Sequence, residues 1–202
     1  MTHFFVVVLV GKNVGQDILK GVSELLAPYD QQLQVPEHEE SCFCVGREAH
    51  VRARRETENK FGTAWSAEAV EFEDKTFESD PAKSSPLPNC EYCSGRGKYK
   101  TTYNPNGQWD WWRVGGRYDG VIRDKPSNVG WHDIGPEHRK LEHNMSTPQF
   151  LIDHNIIPSA IVTPDGRWYE EDPSRWTEWE GTAKSIFAKN LGTRAVGLDC
   201  HA

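Results

Sequence analysis

The segment HFFVVVLVG, residues 3–11, constrains the fold more than any other part of this 202-residue chain. It holds seven consecutive apolar residues, four of them valine, between His3 and Gly11. A short apolar run rich in β-branched residues is typical of a strand in the middle of a sheet. The run has no basic flank and no small-residue cleavage site, so we interpret it as a strand and not as a signal peptide.

The rest of the chain alternates between helical and extended patterns. The patterns predict a helix in 13–28, an extended piece and a charged helix in 42–61, a short helix in 146–155 capped by Ser146 or Thr147, a hairpin in 159–170, a helix in 174–192 and a strand in 193–202. Residues 71–89 and 124–146 are interpreted as loops. This mixture favours an α+β fold: a mainly antiparallel sheet with helices packed on one face and long irregular loops.

Length and charge limit the class of protein. A chain of this length fits a single domain, 1–202, with a loop-rich insertion at about 71–146 that carries the cysteine and tryptophan motifs. The net charge of −7 argues against a protein that coats long nucleic acid. The sequence has no apolar run of about 18 residues, which predicts no membrane span. Five cysteines, an odd number, indicate a reducing cytoplasm better than a disulfide framework.

The cysteines predict a structural zinc site. CEYCSGRGK has the form C-x-x-C-x-G-x-G, in which glycines allow backbone amides to turn toward the thiolates. Since a structural zinc ion needs four ligands, the segment CFC is the natural source of the other two. The predicted ligands are Cys42, Cys44, Cys90 and Cys93, with His38 and His132 as substitutes. The alternative is a pair of reduced thiols in a tight turn.

The segment NPNGQWDWWRVGGRYDG, residues 104–120, is the first candidate for ligand binding. It lies in a basic island, because residues 94–125 carry seven Lys and Arg against three Asp and Glu. Indole rings stack on bases, and arginine binds phosphate in a bidentate manner. The predicted ligand-binding residues are Asn104, Trp109, Asp110, Trp111, Trp112, Arg113, Arg117 and Tyr118.

A purely structural role for this segment stays open. In extended chain Trp109 and Trp111 share one face, and Trp112 takes the other. The tryptophans can simply fill a core, with the arginines paired to Asp110 and Asp119.

The two ends of the chain supply candidate catalytic residues. His3 begins the first strand, and Asp199 and His201 share one face of the last strand. If these strands are neighbours, the two imidazoles can act as acid and base on a phosphodiester. The same three residues can instead bind a divalent metal ion, or they can be solvated strand ends.

Several of these motifs together resemble a family of small proteins encoded mainly by bacteriophages and some bacteria. The shared features are an opening Met-Ser/Thr-His-Phe with a hydrophobic strand, Leu-Ala-Pro-Tyr-Asp at 26–30, the CxxCxGxG turn at 90–97, Asn-Pro-x-x-x-Trp-Asp-Trp with Gly-Gly-Arg-Trp/Tyr at 104–118, Thr-Pro-Asp-Gly-x-Trp at 163–168 and Asp-Cys/Tyr-His at 199–201. Tyr118 stands where the family often has tryptophan. The resemblance implies a phage or bacterial accessory protein in the host cytoplasm and brings no biochemical function with it.

Two functional hypotheses follow from the sequence. The first is an accessory protein that binds a small nucleotide, such as a cyclic nucleotide used as an immune signal. Binding alone would sequester the signal, whereas binding together with His3 and His201 would make a phosphodiesterase. The second is a zinc-pinned module that docks on a host protein, because tryptophan and arginine are also common at interface hot spots.

Overall fold

The computed structural model describes residues 2–11, 17–123, 141–172 and 176–202. The chain divides into two compact units, one made of Met1–Gln34 with Tyr103–Ala202 and the other of Val35–Thr102. The single domain expected from the sequence, with its loop-rich insertion at about 71–146, stays a prediction.

Eight strands and five α-helices of the described residues are numbered here in chain order. The strands are β1 (His3–Val10), β2 (His38–Ser41), β3 (Lys98–Thr101), β4 (Trp111–Val114), β5 (Met145–Ser146), β6 (Ala160–Val162), β7 (Trp168–Glu170) and β8 (Arg194–His201). The helices are α1 (Ile18–Leu26), α2 (Arg47–Phe61), α3 (Ala67–Ser79), α4 (Pro148–Asp153) and α5 (Trp176–Lys189).

The first unit is built on a six-stranded sheet, in which five strands have the order β4-β8-β1-β6-β7 and the sixth, β5, pairs with β8. The pairing of β1 with β6 is parallel, and the other pairings are antiparallel. The short strand β5 pairs with β8 beyond the end of β4, so both lie on the same edge of β8. The α+β class with a mostly antiparallel sheet is therefore confirmed.

Strand β1 lies in the centre of the sheet and is buried on both faces. Val6, Val8 and Val10 pack in one cluster with the apolar side of α1. Phe5, Val7 and Leu9 pack in a second cluster with residues of α4 and α5. The helices thus cover both faces and not one, because a strand without polar alternation needs an apolar partner on each side.

Local signals in the sequence account for several element ends. The Asp17 carboxylate accepts a hydrogen bond from the N–H of Lys20 at 3.0 Å and caps α1. Thr147 caps α4 through a 3.2 Å bond from the N–H of Phe150. The β6–β7 hairpin closes at Gly166, whose φ of +78° suits a turn.

The second unit contains the β2–β3 pair and the packed helices α2 and α3. The interpretation of 71–89 as loop is wrong for its first part, because α3 extends to Ser79. Ser66 caps this helix by accepting from the N–H of Ala69, and Phe72 packs edge-on against Phe61 of α2 with ring centroids 5.6 Å apart. Packing against α2 therefore stabilises a helix in a segment whose composition alone predicts a loop.

In the ranges that the structure describes, no helix combines the length and the apolar character needed to cross a lipid bilayer.

Candidate functional site

Three aromatic side chains on adjacent strands, here called the histidine row, pack against one another at one end of the sheet in the first unit, and each ring centroid lies 5.2–5.3 Å from the other two. His201 of β8 lies opposite His3 of β1 on one side and opposite Trp111 of β4 on the other. The two imidazole centroids are 5.2 Å apart, and the Trp111 ring stacks on the His201 ring at 5.3 Å with an interplanar angle of 13°. Strand pairing therefore brings together the two ends of the chain, as the sequence predicted for neighbouring strands.

Each histidine is bound to a carboxylate of its own. The Nδ1 atom of His3 lies 2.7 Å from Oδ1 of Asp199, and the Nδ1 atom of His201 lies 2.7 Å from Oδ1 of Asp110. An ionised carboxylate accepts a hydrogen bond, so it holds the imidazole proton on Nδ1. Neither Nε2 atom has a hydrogen-bond partner among the described residues, which leaves it able to exchange a proton with a ligand.

Asp199 is fully buried and ionised. Besides the bond to His3, its Oδ2 accepts from the backbone N–H of Arg117 at 3.0 Å and from Nη2 of Arg113 at 3.4 Å. Burial acts to raise the pKa of Asp199, but the hydrogen bonds from His3 and from the N–H of Arg117, with the charge of Arg113, hold the pKa below its usual range. The carboxylate therefore stays charged inside the protein.

Two consecutive glycines allow the backbone to approach Asp199. Gly115 and Gly116 have φ of +69° and +57°. A Cβ atom at Gly116 would collide with the Asp199 carboxylate, and one at Gly115 would collide with the side chain of Asn144. The Gly-Gly-Arg sequence thus allows the N–H of Arg117 to donate to a buried carboxylate, because Gly116 has no side chain to block the approach.

The rim of the histidine row is aromatic and basic. Trp111 is 37% exposed, and the Arg113 guanidinium lies 5.5 Å from the centre of its ring. The Arg117 side chain is exposed and pairs with no carboxylate within the described ranges. The Tyr118 hydroxyl donates to the carbonyl oxygen of His3 at 3.3 Å, and burial raises the pKa of that hydroxyl.

The arrangement is suited to proton transfer. Two imidazoles with fixed tautomers can serve as a general base and a general acid on the same ligand. Coordination of one divalent metal ion by His3, Asp199 and His201 fits less well, because the Asp199 carboxylate is buried and already accepts from His3, Arg113 and the N–H of Arg117.

Two of the predicted ligand-binding residues lie in the interior instead. The Asn104 amide donates to the carbonyl oxygens of Pro28 and Asp30 at 2.7 and 2.9 Å. The Trp109 indole is buried and donates to the carbonyl oxygen of Leu26 at 3.2 Å. Both side chains hold the segment against the chain that follows α1, so we no longer expect either to contact a ligand.

The expected arrangement of the tryptophans is wrong. Trp109 belongs to the cluster on the α1 face, with Trp112 packed against it, whereas Trp111 lies in the histidine row on the opposite face. Strand β4 begins only at Trp111, so the alternation expected of an extended chain does not reach back to Trp109.

The carboxylates of the segment do not pair with its arginines as the structural alternative assumed. Asp110 binds His201, and Asp119 accepts from the amide of Asn144 at 2.6 Å. The basic island is also divided, because residues 94–102 belong to the second unit and residues 103–123 to the first.

The cysteine cluster lies in the second unit. Cys42, Cys44, Cys90 and Cys93 are buried, and their sulfur atoms all lie within 4.8 Å of one another. The Sγ atoms of Cys42 and Cys90 are 3.6 Å apart, and those of Cys44 and Cys93 are 3.5 Å apart. A tetrahedral site with Zn–S bonds of about 2.3 Å requires S–S separations of about 3.8 Å. The four cysteines therefore lie close enough to coordinate a metal ion, as a structural zinc site requires.

Backbone amides point at the sulfur atoms, as the glycines of the turn predicted. A backbone hydrogen bond from Cys93 lowers the pKa of Cys90 to about 7. Burial acts to raise the pKa of Cys93, but hydrogen bonds from the N–H groups of Gly97 and Gly95 lower it. By contrast, burial raises the pKa of Cys44 to about 12. The C-x-x-C turn thus favours thiolates before any metal binds.

Of the two histidines proposed as substitute ligands, His38 does not join this cluster. His38 bonds to Glu40 at 3.1 Å and to the carbonyl oxygen of Pro36. His132 lies outside the described residues.

Sequence reasoning missed two features of these sites. It treated Asp110 as a ligand contact and not as the partner of His201, although the residue precedes the strand that pairs with the C-terminus. It also missed an exposed aromatic pair beside the metal cluster, Phe43 and Tyr92, with ring centroids 4.9 Å apart. Each lies in sequence between two of the cysteines, which was the available signal.

Comparison of the chain with protein-family models, with curated proteins and with solved structures finds no match, so its function is argued from the site itself.

Proposed function

We propose that this protein binds a small nucleotide and cleaves a phosphodiester bond in it at the histidine row. The observation that carries the proposal is the pair of imidazoles 5.2 Å apart, each with its Nδ1 atom held by a separate carboxylate. One imidazole takes the proton of the attacking oxygen, and the other gives a proton to the leaving oxygen. Each such transfer accelerates a reaction by about 10²–10⁴-fold.

The groups around the histidines supply affinity for a nucleotide. An exposed indole such as Trp111 contributes about 1–3 kcal/mol when a base stacks on it. The Arg113 side chain is 53% exposed and keeps N–H donors free for a phosphate beyond its one bond to Asp199. Arg117 adds a second positive charge in the loop that follows β4. Together they offer one base platform and two phosphate donors.

The scale of the basic surface favours a small ligand. Two arginines beside one indole match a few phosphates, while the chain as a whole carries a net charge of −7. Long nucleic acid would be repelled outside this site. The resemblance to phage accessory proteins makes cyclic nucleotide immune signals of a host cell the ligand class to test first, so that cleavage would act against the defence.

The experiment is thermal melting of the purified protein with mono-, di- and cyclic nucleotides, followed by chromatography of the recovered ligand. A ligand at about a hundred times its dissociation constant should stabilise the fold by about 2.7 kcal/mol. His3→Ala should keep the binding and lose the cleavage, and Arg117→Ala should weaken the binding. His154→Ala is the matched control, because His154 is exposed and bonds only to the carbonyl oxygen of Phe150 in the described structure. No shift with any nucleotide would reject the proposal.

A second function is favoured by the exposed aromatic pair on the cysteine cluster. Phe43 and Tyr92 are 59% and 62% exposed, although each is flanked by buried cysteines. We infer as the alternative that the second unit is a zinc-pinned module whose aromatic pair docks on another protein. A Phe43→Ser/Tyr92→Ser variant should keep the metal and the melting temperature and lose capture of a host protein. Equal capture by the variant and the parent would reject this alternative.

A further inference from the structure

We propose that the nucleophile in this reaction is a 2′-hydroxyl of the substrate itself and not water. The inference rests on the proposed phosphodiester cleavage and narrows its substrate class. Substrates would be ribonucleotide diesters with a free 2′-hydroxyl beside the scissile phosphate. The products would be a 2′,3′-cyclic phosphate and a 5′-hydroxyl.

Among the described residues, few groups at the histidine row can take up or give a proton. Asp199 and Asp110 are both engaged on the Nδ1 atoms of the histidines, and Asp199 is fully buried. In the described part of the site, the two Nε2 atoms are therefore the positions at which a proton can be taken and given. That inventory covers one attacking oxygen and one leaving oxygen, which are the two proton transfers that attack by a neighbouring hydroxyl requires.

The size of the possible rate acceleration also favours a 2′-hydroxyl over water. A base and an acid together accelerate cleavage by roughly 10⁴–10⁸-fold. Attack by a neighbouring hydroxyl adds an effective concentration of about 10⁵–10⁸ M, which water cannot match. A site that offers two imidazoles and one or two arginines therefore reaches its largest rate acceleration on a substrate that carries its own nucleophile.

The reaction balances with these groups alone. The 2′-oxygen forms a bond to phosphorus as its proton passes to Nε2 of the neutral imidazole. The bond between phosphorus and the 5′-oxygen breaks, and that oxygen takes a proton from Nε2 of the imidazolium. The Arg113 guanidinium is placed to stabilise the charge that develops on the phosphoryl oxygens. No water, metal or redox partner is consumed.

The inference separates nucleotides that are otherwise similar. In cyclic di- and oligoribonucleotides with 3′,5′ linkages, every phosphate has an adjacent 2′-hydroxyl that can align opposite the leaving 5′-oxygen. In a 3′,5′-cyclic mononucleotide, the phosphate is already tied to both oxygens of one ribose, so the 2′-hydroxyl cannot align. Deoxyribonucleotides lack the group altogether. Among the cyclic nucleotides, the substrate class is therefore the cyclic oligoribonucleotides.

The test compares cyclic di-AMP, cyclic di-GMP and cyclic triadenylate with their 2′-deoxy counterparts, with cyclic AMP as a further probe. At early times the opened product should have the same mass as the ring, because a cyclic phosphate forms without water. It should also carry no label from water enriched in the heavy oxygen isotope. The 2′-deoxy rings should compete for binding and be cleaved at least about 100-fold more slowly, since they lose the neighbouring nucleophile. His201→Ala should abolish cleavage of every probe.

The outcomes distinguish this inference from the proposed function. If the 2′-deoxy rings are cleaved at similar rates, or if the first product gains the mass of water and the isotope label, the protein is a phosphodiesterase that uses water and the inference is overturned. Cleavage of cyclic AMP would also overturn it. If no probe is bound or cleaved, the proposed function itself fails, and the inference fails with it.

Discussion

Asp199 combines full burial with three hydrogen-bond donors from three different parts of the chain. His3 reaches it from β1, Arg113 from β4, and the N–H of Arg117 from the glycine loop that follows β4. A buried carboxylate is stable only when its charge is compensated, and here the compensating groups are those that would act on a ligand. The stability of the fold and the order of the candidate site therefore depend on the same charge.

Asp199→Asn should destabilise the protein in a pH-dependent way. The pKa of Asp199 is lower in the folded protein than in an unfolded chain, so its ionisation favours folding at neutral pH. This contribution is fully present above the unfolded value of about 3.9 and is lost as the pH falls through the lowered pKa. We expect the variant to be less stable by about 2 kcal/mol at pH 7, as for hydrogen bonds to a charged group, and the difference to shrink below about pH 4. Urea unfolding at several pH values measures it.

Asp153→Asn provides the reference for that comparison. Asp153 is exposed near the end of α4 and accepts from the side chain of Gln149 at 2.7 Å. Its substitution should change the free energy of unfolding by less than about 0.5 kcal/mol at either pH. Equal losses for the two variants would mean that the charge of Asp199 does not stabilise the fold.

Gly116→Ala and Gly120→Ala separate backbone strain from a specific contact. Both glycines have positive φ, +57° and +77°, so alanine costs about 1–2 kcal/mol at either position. Only at Gly116 would the new Cβ meet the Asp199 carboxylate, whereas space is open at Gly120. We expect Gly116→Ala to cost at least about 1 kcal/mol more than Gly120→Ala, by calorimetry, and to disturb the imidazole NMR signal of His3. Identical effects would show that strain alone requires the glycine.

Secondary-structure elements differ in how well local sequence predicts them. Strand β1, the β6–β7 hairpin and α4 follow from hydrophobic runs, turn residues and caps that lie within a few positions of one another. For the part of α3 from residue 71 onward the sequence predicts loop, because the acidic surface of this helix hides the few apolar residues that pack on α2. The sides taken by Trp109 and Trp111 were assigned incorrectly because the start of β4 is set by its pairing with β8, far along the chain.

In the candidate site, too, the sequence predicts what depends on local pattern and misses what depends on distant parts of the chain. The sequence predicted that His3, Asp199 and His201 would meet if the terminal strands were neighbours, which is one statement about pairing. It did not predict that Asp110 would bind His201 or that Gly116 would pack on Asp199, because both depend on the route of a loop. The cysteine cluster was predictable because the C-x-C and C-x-x-C segments together supply the four thiols that a structural zinc site needs.

At the cysteine turn, we expect a metal ion bound by the four cysteines to be required for the stability of the fold. Cys90→Ser removes one of four predicted ligands, and we expect it to lose most of the bound zinc and to lower the melting temperature, because structural zinc contributes several kcal/mol to folding. Metal analysis of the purified protein and calorimetry measure both effects. Cys200→Ala is the matched control, since Cys200 is also buried but lies in β8, outside the cluster. This variant should keep the metal, and its free energy of unfolding should fall by only about 1 kcal/mol.

A chelator should act on the parent protein as Cys90→Ser does, and should have no further effect on that variant. If the parent contains no zinc after purification from zinc-supplemented cells, or if the chelator leaves its melting unchanged, the cluster is a set of reduced thiols.

On the scale of the whole molecule, the two units carry different chemistry. The histidine row, both of its carboxylates and the rim arginines belong to the first unit, and the cysteine cluster and the exposed aromatic pair belong to the second. The basic island of the sequence is shared between them, so its net charge of +4 does not describe one surface. The two functional hypotheses therefore concern separate parts of the chain and can be tested separately.

Replacing residues 35–102 by a short linker should leave the histidine row intact. The N–H of Val35 donates to the carbonyl oxygen of Thr102 at 3.0 Å, so the two ends of the second unit are adjacent and about four residues of Gly and Ser can join them. Since every described partner of His3 and His201 lies in the first unit, we expect the shortened chain to melt cooperatively and to keep the imidazole NMR signals of the full chain. Its melting should no longer respond to a chelator. A shortened chain that is unfolded would mean that the first unit depends on the second. A folded one that has lost nucleotide binding would assign the ligand to the second unit and favour the docking module over the nucleotide enzyme.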